Sequence, residues 1–256
     1  FLSYLPSNAW SRAPRANPSP RVHNPALSEI VPQDRRKSYD IRDLIGAITD
    51  ESSFFELGGG FARSLVTGLG HIDGHPVGIL ANQPASAAGT ISPDACQKAI
   101  RLLVLCDSFD IPIVSLQDTP GFMVGTKVEH GGLLDASMRF LQAWELCGAP
   151  KLTVIVRKAF GMAFFSMGGT AMGSDLLVSW PGAEVGFMDP QVASNVVGTD
   201  VDPADNSPYR RAGTMLVDEV VGPADTAVVL ADALAGLANR RLRPPHERPL
   251  ATWPSS

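Results

Sequence analysis

Phe160-Gly161-Met162-Ala163 has the composition of a strand that turns into a helix on a glycine. Before it, Leu152-Thr153-Val154-Ile155-Val156 is a β-branched apolar run that reads as a buried strand. After it, small residues continue to Gly173, and the pattern predicts a helix over Ser166–Met172. Backbone N–H groups in the first turn of a helix have no internal partner, and the helix dipole favours negative charge there. A glycine at such a turn lets a ligand approach the backbone. These are the parts of an oxyanion hole, fixed donors aimed at an oxygen that gains charge in a transition state. The same residues also describe a plain strand–helix turn, so the choice falls to the rest of the chain.

Other groups that could carry chemistry are scattered. Asp118 ends a predicted strand before Thr119-Pro120-Gly121, as a catalytic acid or, more simply, as a cap of the next turn. His71 and His75 flank a hairpin tip, where exposed polar residues are routine. His130 is expected in a flexible loop before Gly131-Gly132. Lys158 is expected just after the strand that leads to Gly161, with Arg157-Lys158 capping carbonyls. The chain has no GxSxG and no HExxH, and no nucleophile with an evident paired base. What remains is backbone donors at turns, which suits stabilisation of an enolate or a similar oxyanion.

The elements that must position these turns follow a repeating order. Asp40 reads as an N-cap, with Ile41, Leu44, Ile45 and Ile48 at helical spacing behind it. Phe54–Leu57 reads as a short strand, and the runs Leu65–Gly70 and Pro76–Asn82 as a hairpin turning at Asp73-Gly74. A helix over Asp94–Ser108 then leads to strand Ile111–Leu116, and a helix over 132–147 leads to strand Leu152–Val156. Strands Leu176–Ser179 and Glu184–Met188 follow, and a last helix over Asp225–Leu242. Strands alternating with helices predict an α/β fold, largely parallel, with the Gly and Pro turns aligned at one end. The periodicity is that of a spiral of β-β-α units in a single domain. No G-x-G-x-x-G follows the first strand, so it is not a Rossmann arrangement. Residues 1–37, with six prolines, are expected as an extended linker, 38–245 as the domain and 246–256 as a tail.

Composition excludes several classes. The 256 residues are 45% hydrophobic and 18% charged with net charge -5, a soluble globular balance with no basic cluster for nucleic acid. No apolar run reaches the roughly 18 residues of a membrane span. Cys96, Cys106 and Cys147 form neither a disulfide framework nor a zinc pattern and are expected as reduced core thiols of a cytoplasmic protein. No metal site is expected. The opening Phe1, without a signal-peptide pattern, is expected to continue something longer.

Four runs in order carry a resemblance: Ala81-Asn82-Gln83-Pro84, Asp118-Thr119-Pro120-Gly121-Phe122, Arg157-Lys158-Ala159-Phe160-Gly161 and Asp189-Pro190. Together they resemble the carboxyltransferase subunits of biotin-dependent acyl-CoA carboxylases, of the propionyl-CoA carboxylase β and transcarboxylase type. The similarity runs over about residues 1–195 and resumes at Asn206–Tyr209. It implies a crotonase-like fold and places the chain in the C-terminal, biotin-side half of such a subunit, with Phe1–Asn8 at the junction. The acyl-CoA-binding N-terminal half would come from elsewhere, and the active site would form between subunits of an oligomer. A biotin carboxyl carrier and a biotin carboxylase subunit would be the further partners, and biotin, carried as carboxybiotin, the cofactor.

By the same resemblance, the oxyanion hole falls on the backbone N–H groups of Met162 and Ala163 after Gly161. It would hold the ureido oxygen of biotin as carbon dioxide leaves. Phe160, Phe165, Gly121, Phe122, Ser86 and Gly89 would line the biotin or substrate side. Met162 stands where the family usually has glycine, Phe165 where acyl-discriminating members often carry aspartate, and a charged helix usual between Val197 and Tyr209 is missing. The implied reaction moves carbon dioxide from carboxybiotin to the α-carbon of acetyl- or propionyl-CoA. The alternatives are a biotin-dependent decarboxylase or transcarboxylase subunit, and a non-catalytic scaffold in a carboxylase complex. A crotonase hydratase or isomerase is disfavoured because no glutamate follows the Gly161 turn.

Overall fold

The computed structural model describes residues 1–18, 23–189, 194 and 202–253. Its helices are α1 (Leu27–Ile30), α2 (Ile41–Ile48), α3 (Pro93–Phe109), α4 (Thr126–His130), α5 (Leu133–Leu146), α6 (Gly161–Ser166), α7 (Pro208–Gly213) and α8 (Thr226–Leu237). Its strands are β1 (Phe55–Leu57), β2 (Leu65–Ile72), β3 (His75–Asn82), β4 (Ile113–Thr119), β5 (Lys151–Phe160), β6 (Leu176–Ser179), β7 (Glu184–Gly186) and β8 (Glu219–Val220).

Local chemistry sets most boundaries. Asp40 accepts from the Arg42 backbone N–H at 2.9 Å and starts α2, whose Ile41, Leu44, Ile45 and Ile48 are all buried. Each such side chain contributes about 1.5–3 kcal/mol by leaving water, against about 1 kcal/mol for the cap. Ser92 caps α3 ahead of Pro93, and Asp110 closes that helix in the left-handed conformation at φ +56°. Asp73 and Gly74, at φ +50° and +73°, make the two-residue hairpin turn between β2 and β3.

The strands form one sheet in the order β1-β2-β3-β4-β5-β6-β8, with β7 also paired to β5. β1, β2 and β3 are antiparallel; the pairs from β3 onward are parallel. α2 and α8 cover one face, packing on Val66, Val77, Ile79, Val114, Leu152 and Val178. α3 and α5 cover the other, around Leu80, Leu103, Ile113, Phe140 and Trp144. This is the α/β architecture expected, a crotonase-like spiral. The free thiols Cys96, Cys106 and Cys147 lie buried, and burial pushes Cys96 and Cys147 up to about 12.

Several expectations need correction. No helix covers Ser166–Met172: the helix is α6, five residues earlier, and Gly168 at φ +93° turns the chain away from it. β5 continues through Arg157 and Lys158 to Phe160, because both charged side chains find a carboxylate inside the fold. The last helix ends at Leu237, short of Leu242, and β7 ends at Gly186, short of Met188. His71 and His75 are in strands and buried, with the His71 ring stacked 4.8 Å from Tyr4. His130 ends α4 rather than lying in a loop.

The segment 1–37 packs against the domain: the Tyr4 hydroxyl bonds to Ser53, the Ala16 N–H donates to the Gly74 carbonyl at 2.9 Å, and Leu27 is fully buried. Beyond 245, Arg248 and Leu250 are buried as well. Pro190 of the Asp189-Pro190 run, and residues 197–201 of the shortened stretch between Val197 and Asn206, lie outside the described residues.

Candidate active site

The ends of β3, β4 and β5 bring three turns together. β5 delivers Gly161, whose φ is +60°; a Cβ there would stand 3.2 Å from the Phe187 carbonyl oxygen. α6 starts directly on it, with Phe160 as N-cap and no side chain capping the first turn. The N–H groups of Met162 and Ala163 therefore belong to a helix start without intrahelical or side-chain partners. At the other end of α6, Gln117 Nε2 donates to the Met167 carbonyl at 2.8 Å and Ser115 Oγ donates to the same oxygen at 2.8 Å, so β4 pins the helix.

The neighbouring turn, Thr119–Phe122, is held by the Gly121 N–H donating to Thr119 Oγ1 at 3.2 Å. A Cβ on Gly121 would approach the Phe160 carbonyl to 4.0 Å, which places this turn beside the Gly161 turn. Phe122 pairs with Ile91 in an isolated parallel bridge, linking the turn to the third, Ser86–Gly89. That third turn is left-handed through Ala87 (φ +47°), Ala88 (φ +54°) and Gly89 (φ +76°). Asn82 ties it down: its Nδ2 donates to the Gly89 carbonyl at 3.1 Å, and its Oδ1 accepts from the Asp118 N–H at 3.2 Å.

The residues singled out in the sequence thus sit on three turns in contact at one end of the sheet, but not all present side chains. Phe160 and Gly89 are buried, so they shape the backbone and offer no surface. Met162 and Phe165, one helical turn apart, share the exposed face of α6 at 43% and 38% exposure. Phe165 also lines an apolar cavity of about 330 Å³ with Phe164, Val185, Phe187 and Leu216. Larger hollows lie elsewhere, between α3 and α5 and beside Trp180, and neither includes any of the turn residues.

Behind the turns lies a charged network whose pairing has no local signal in the sequence. Asp118, fully buried, accepts from Arg157 Nε at 2.9 Å, and Lys158 Nζ lies 3.9 Å from its other oxygen. The Arg157 guanidinium lies over the Tyr39 ring at 5.1 Å and donates to the Lys37 carbonyl at 2.8 Å. Burial pushes the Asp118 carboxyl up and the Lys158 ammonium down, each opposed by the other's charge. Asp118 Oδ1 and the Tyr39 hydroxyl are buried without a hydrogen-bond partner. Asp118 therefore does not cap the next turn; Thr119 does. Further out, Arg35 donates to Glu184 at 3.0 Å and pairs with Asp189. Among the described residues, no group of three or more His, Cys, Asp or Glu could hold a metal ion, and no helix is long and apolar enough to cross a membrane.

The residues at Gly161 fit a ring carrying a partly negative oxygen. Gly161 takes a left-handed φ beside the Phe187 carbonyl where a side chain would be crowded, and no side chain caps the first turn of α6.

Comparison with known proteins identifies the family and matches the fold. The carboxyl transferase domain family matches residues 1–206. The carboxyltransferase subunit of propionyl-CoA carboxylase from Haloferax mediterranei is 39% identical over 97% of this chain and 52% of its own length. The alpha subunit of methylmalonyl-CoA decarboxylase from Veillonella parvula is 34% identical over 94% of this chain and 50% of its own. Among solved structures, the transcarboxylase 12S hexamer with methylmalonyl-coenzyme A and methylmalonic acid bound superposes with a TM-score of 0.89. It is 37% identical, over 94% of this chain and 50% of that one. The chain spans about half the length of the relatives it matches. With the family match over residues 1–206 and these similarities, the chain belongs to the carboxyl transferase domain family.

Proposed function

We propose that this chain forms the biotin side of a carboxyltransferase that moves a carboxyl group from carboxybiotin to the α-carbon of a short acyl-CoA, acetyl- or propionyl-CoA. The observation that carries the reading is the first turn of α6, which starts on the left-handed Gly161 at the end of β5 with no side chain capping it. Bound there, carboxybiotin supplies the carboxyl group.

The chain's own residues supply the setting. The N–H groups of Met162 and Ala163 donate to an oxygen that becomes more negative, and two such donors in a water-poor site are worth several kcal/mol: losing one costs about 10²–10³ in rate. Gln117 and Ser115 keep α6 from tilting. Met162 and Phe165 present an apolar, part-exposed face of α6 next to those donors. The Thr119–Phe122 and Ser86–Gly89 turns close the neighbouring edges. In this reading the acyl-CoA site belongs to a second carboxyltransferase half, and the biotin arrives on a carrier protein served by a biotin carboxylase subunit. Three buried thiols suit a reducing, cytoplasmic setting.

A test incubates the complete assembly containing this chain with malonyl- or methylmalonyl-CoA and free biotin. The expected result is loss of the carboxyl group from the thioester at a rate that saturates with biotin. Turnover that ignores biotin, or none, contradicts the proposal. A second reading, a decarboxylase subunit using the same half-reaction, draws support from the Veillonella parvula relative. Co-purification with membrane-embedded subunits would select it.

A further inference from the structure

Between β4 and β5 the register breaks at one place. β4 advances from Gln117 to Thr119 while β5 advances from Ile155 to Ala159, so β5 carries slack immediately before the Gly161 turn. Each residue of strand is worth about 3.3 Å of travel, so slack that can redistribute would move the donors of α6 far outside the roughly 0.5 Å that a positioned site tolerates. Arg157 and Lys158 lie in that slack, and both reach Asp118, at 2.9 and 3.9 Å. Consecutive residues of a regular strand face opposite ways; the bulge is what lets two of them converge on one carboxylate.

The backbone of Asp118 meets the other turns. Its N–H donates to Asn82, which holds the Gly89 carbonyl, and its carbonyl lies 2.5 Å from where a Cβ on Gly89 would stand. The residue after it, Thr119, holds Gly121. As a source of stability the ion pair is a poor choice, since desolvating both charges offsets most of their attraction. Its place in the structure accounts for it better.

We infer that Asp118 is a positioning residue: its carboxylate anchors the slack of β5 through Arg157, and its backbone ties that anchor to the Ser86–Gly89 and Thr119–Phe122 turns, so that the three turns are set together. The inference rests on the proposed function for its consequence in turnover, but its geometric part stands apart from it.

The experiment compares wild type, Asp118→Asn and the double variant Asp118→Asn/Arg157→Met in the complete assembly, by amide hydrogen exchange, thermal melting and steady-state kinetics with free biotin. In Asp118→Asn, exchange should quicken together at 86–91, 119–123 and 160–164 while α3 and α8 keep their protection. Turnover with biotin should fall by about 10²-fold, as for a displacement near 1 Å, with KM for the acyl-CoA unchanged. The double variant removes the buried guanidinium that Asp118→Asn strands, leaving only Lys158 without its carboxylate, and should recover most of the lost melting temperature, yet keep the fast exchange and the slow turnover. If exchange and turnover recover with melting, or if only 119–123 responds, the pair is merely structural and the inference is overturned. If the wild-type assembly does not use biotin, the proposed function fails, and the exchange pattern in the two variants still decides the coupling.

Discussion

Gly168 sits against the Trp144 ring with no room for a side chain: a Cβ there would stand 2.3 Å from Trp144 Cζ2 and 2.5 Å from Thr153 Oγ1. Its φ of +93° is also one that only glycine adopts without strain. This contact ends α6 and seats its floor on α5 and β5. Gly168→Ala should lower stability by at least the 1–3 kcal/mol typical of overpacking, read as a lower urea midpoint with unchanged slope. An unchanged midpoint would mean that the seat is soft.

Ala87 and Ala88 hold left-handed conformations, each at a cost of roughly 1–2 kcal/mol that glycine would avoid. Ala88→Gly should therefore stabilise the protein by up to about 1 kcal/mol after the added freedom of the unfolded chain is subtracted. The same change loosens one edge of the site, so transfer to biotin should slow while melting rises. A parallel rise in both would show that this turn has no part in the chemistry.

The far end of the chain is fixed by Asp107. Its Oδ1 accepts from Arg243 at 2.8 Å and from the Gly148 N–H at 3.0 Å, and its Oδ2 accepts from the Leu250 N–H at 3.0 Å. Asp107→Ala leaves Arg243 with Asp110 at 3.2 Å but strands the Gly148 and Leu250 N–H groups, and should cost about 1–3 kcal/mol for each donor left unsatisfied. Limited proteolysis should then release residues beyond Leu237, and continued resistance would contradict the latch. The domain is accordingly proposed to run through Trp253 rather than to stop at 245.

His71 and His75 both titrate below the ordinary value of 6.5, chiefly because burial disfavours the charged ring. A depressed folded value means that the unfolded chain binds protons first. Stability is then complete above about pH 6.5 and declines as the pH falls from there through the folded values. Urea midpoints measured from about pH 8 down to about pH 5 should show this decline, and His71→Phe, which keeps the stack on Tyr4, should flatten it. A variant that declines as steeply as wild type would assign the acid sensitivity to other groups.

Legibility in the sequence followed the range of the forces involved. The Asp40 cap, the Asp73-Gly74 turn and the Gly161 turn are local signals, and each is where the residues placed it. The continuation of β5 through Arg157-Lys158 is not local. It depends on a carboxylate 39 positions earlier, so two charges that read as a strand's end lie inside one. The left-handed pair Ala87-Ala88 is equally silent, since alanine carries no preference for that conformation and it is held by its partners, Asn82 on the Gly89 carbonyl and Thr90 on the Ala87 carbonyl. The small residues after α6 read as helix and shift the expected element five residues along, whereas Gly168 and Gly169 close against Trp144 and Phe164.

The central claim is that the first-turn N–H groups of α6 serve biotin. Met162→Pro deletes one of those donors at a helix position where proline is tolerated. Steady-state constants for free biotin and for the acyl-CoA, measured separately on the complete assembly, test the claim most directly. The account predicts that transfer to biotin falls by about 10²–10³ with the acyl-CoA KM unchanged. Unimpaired transfer to biotin, or a loss confined to the acyl-CoA KM, would contradict it.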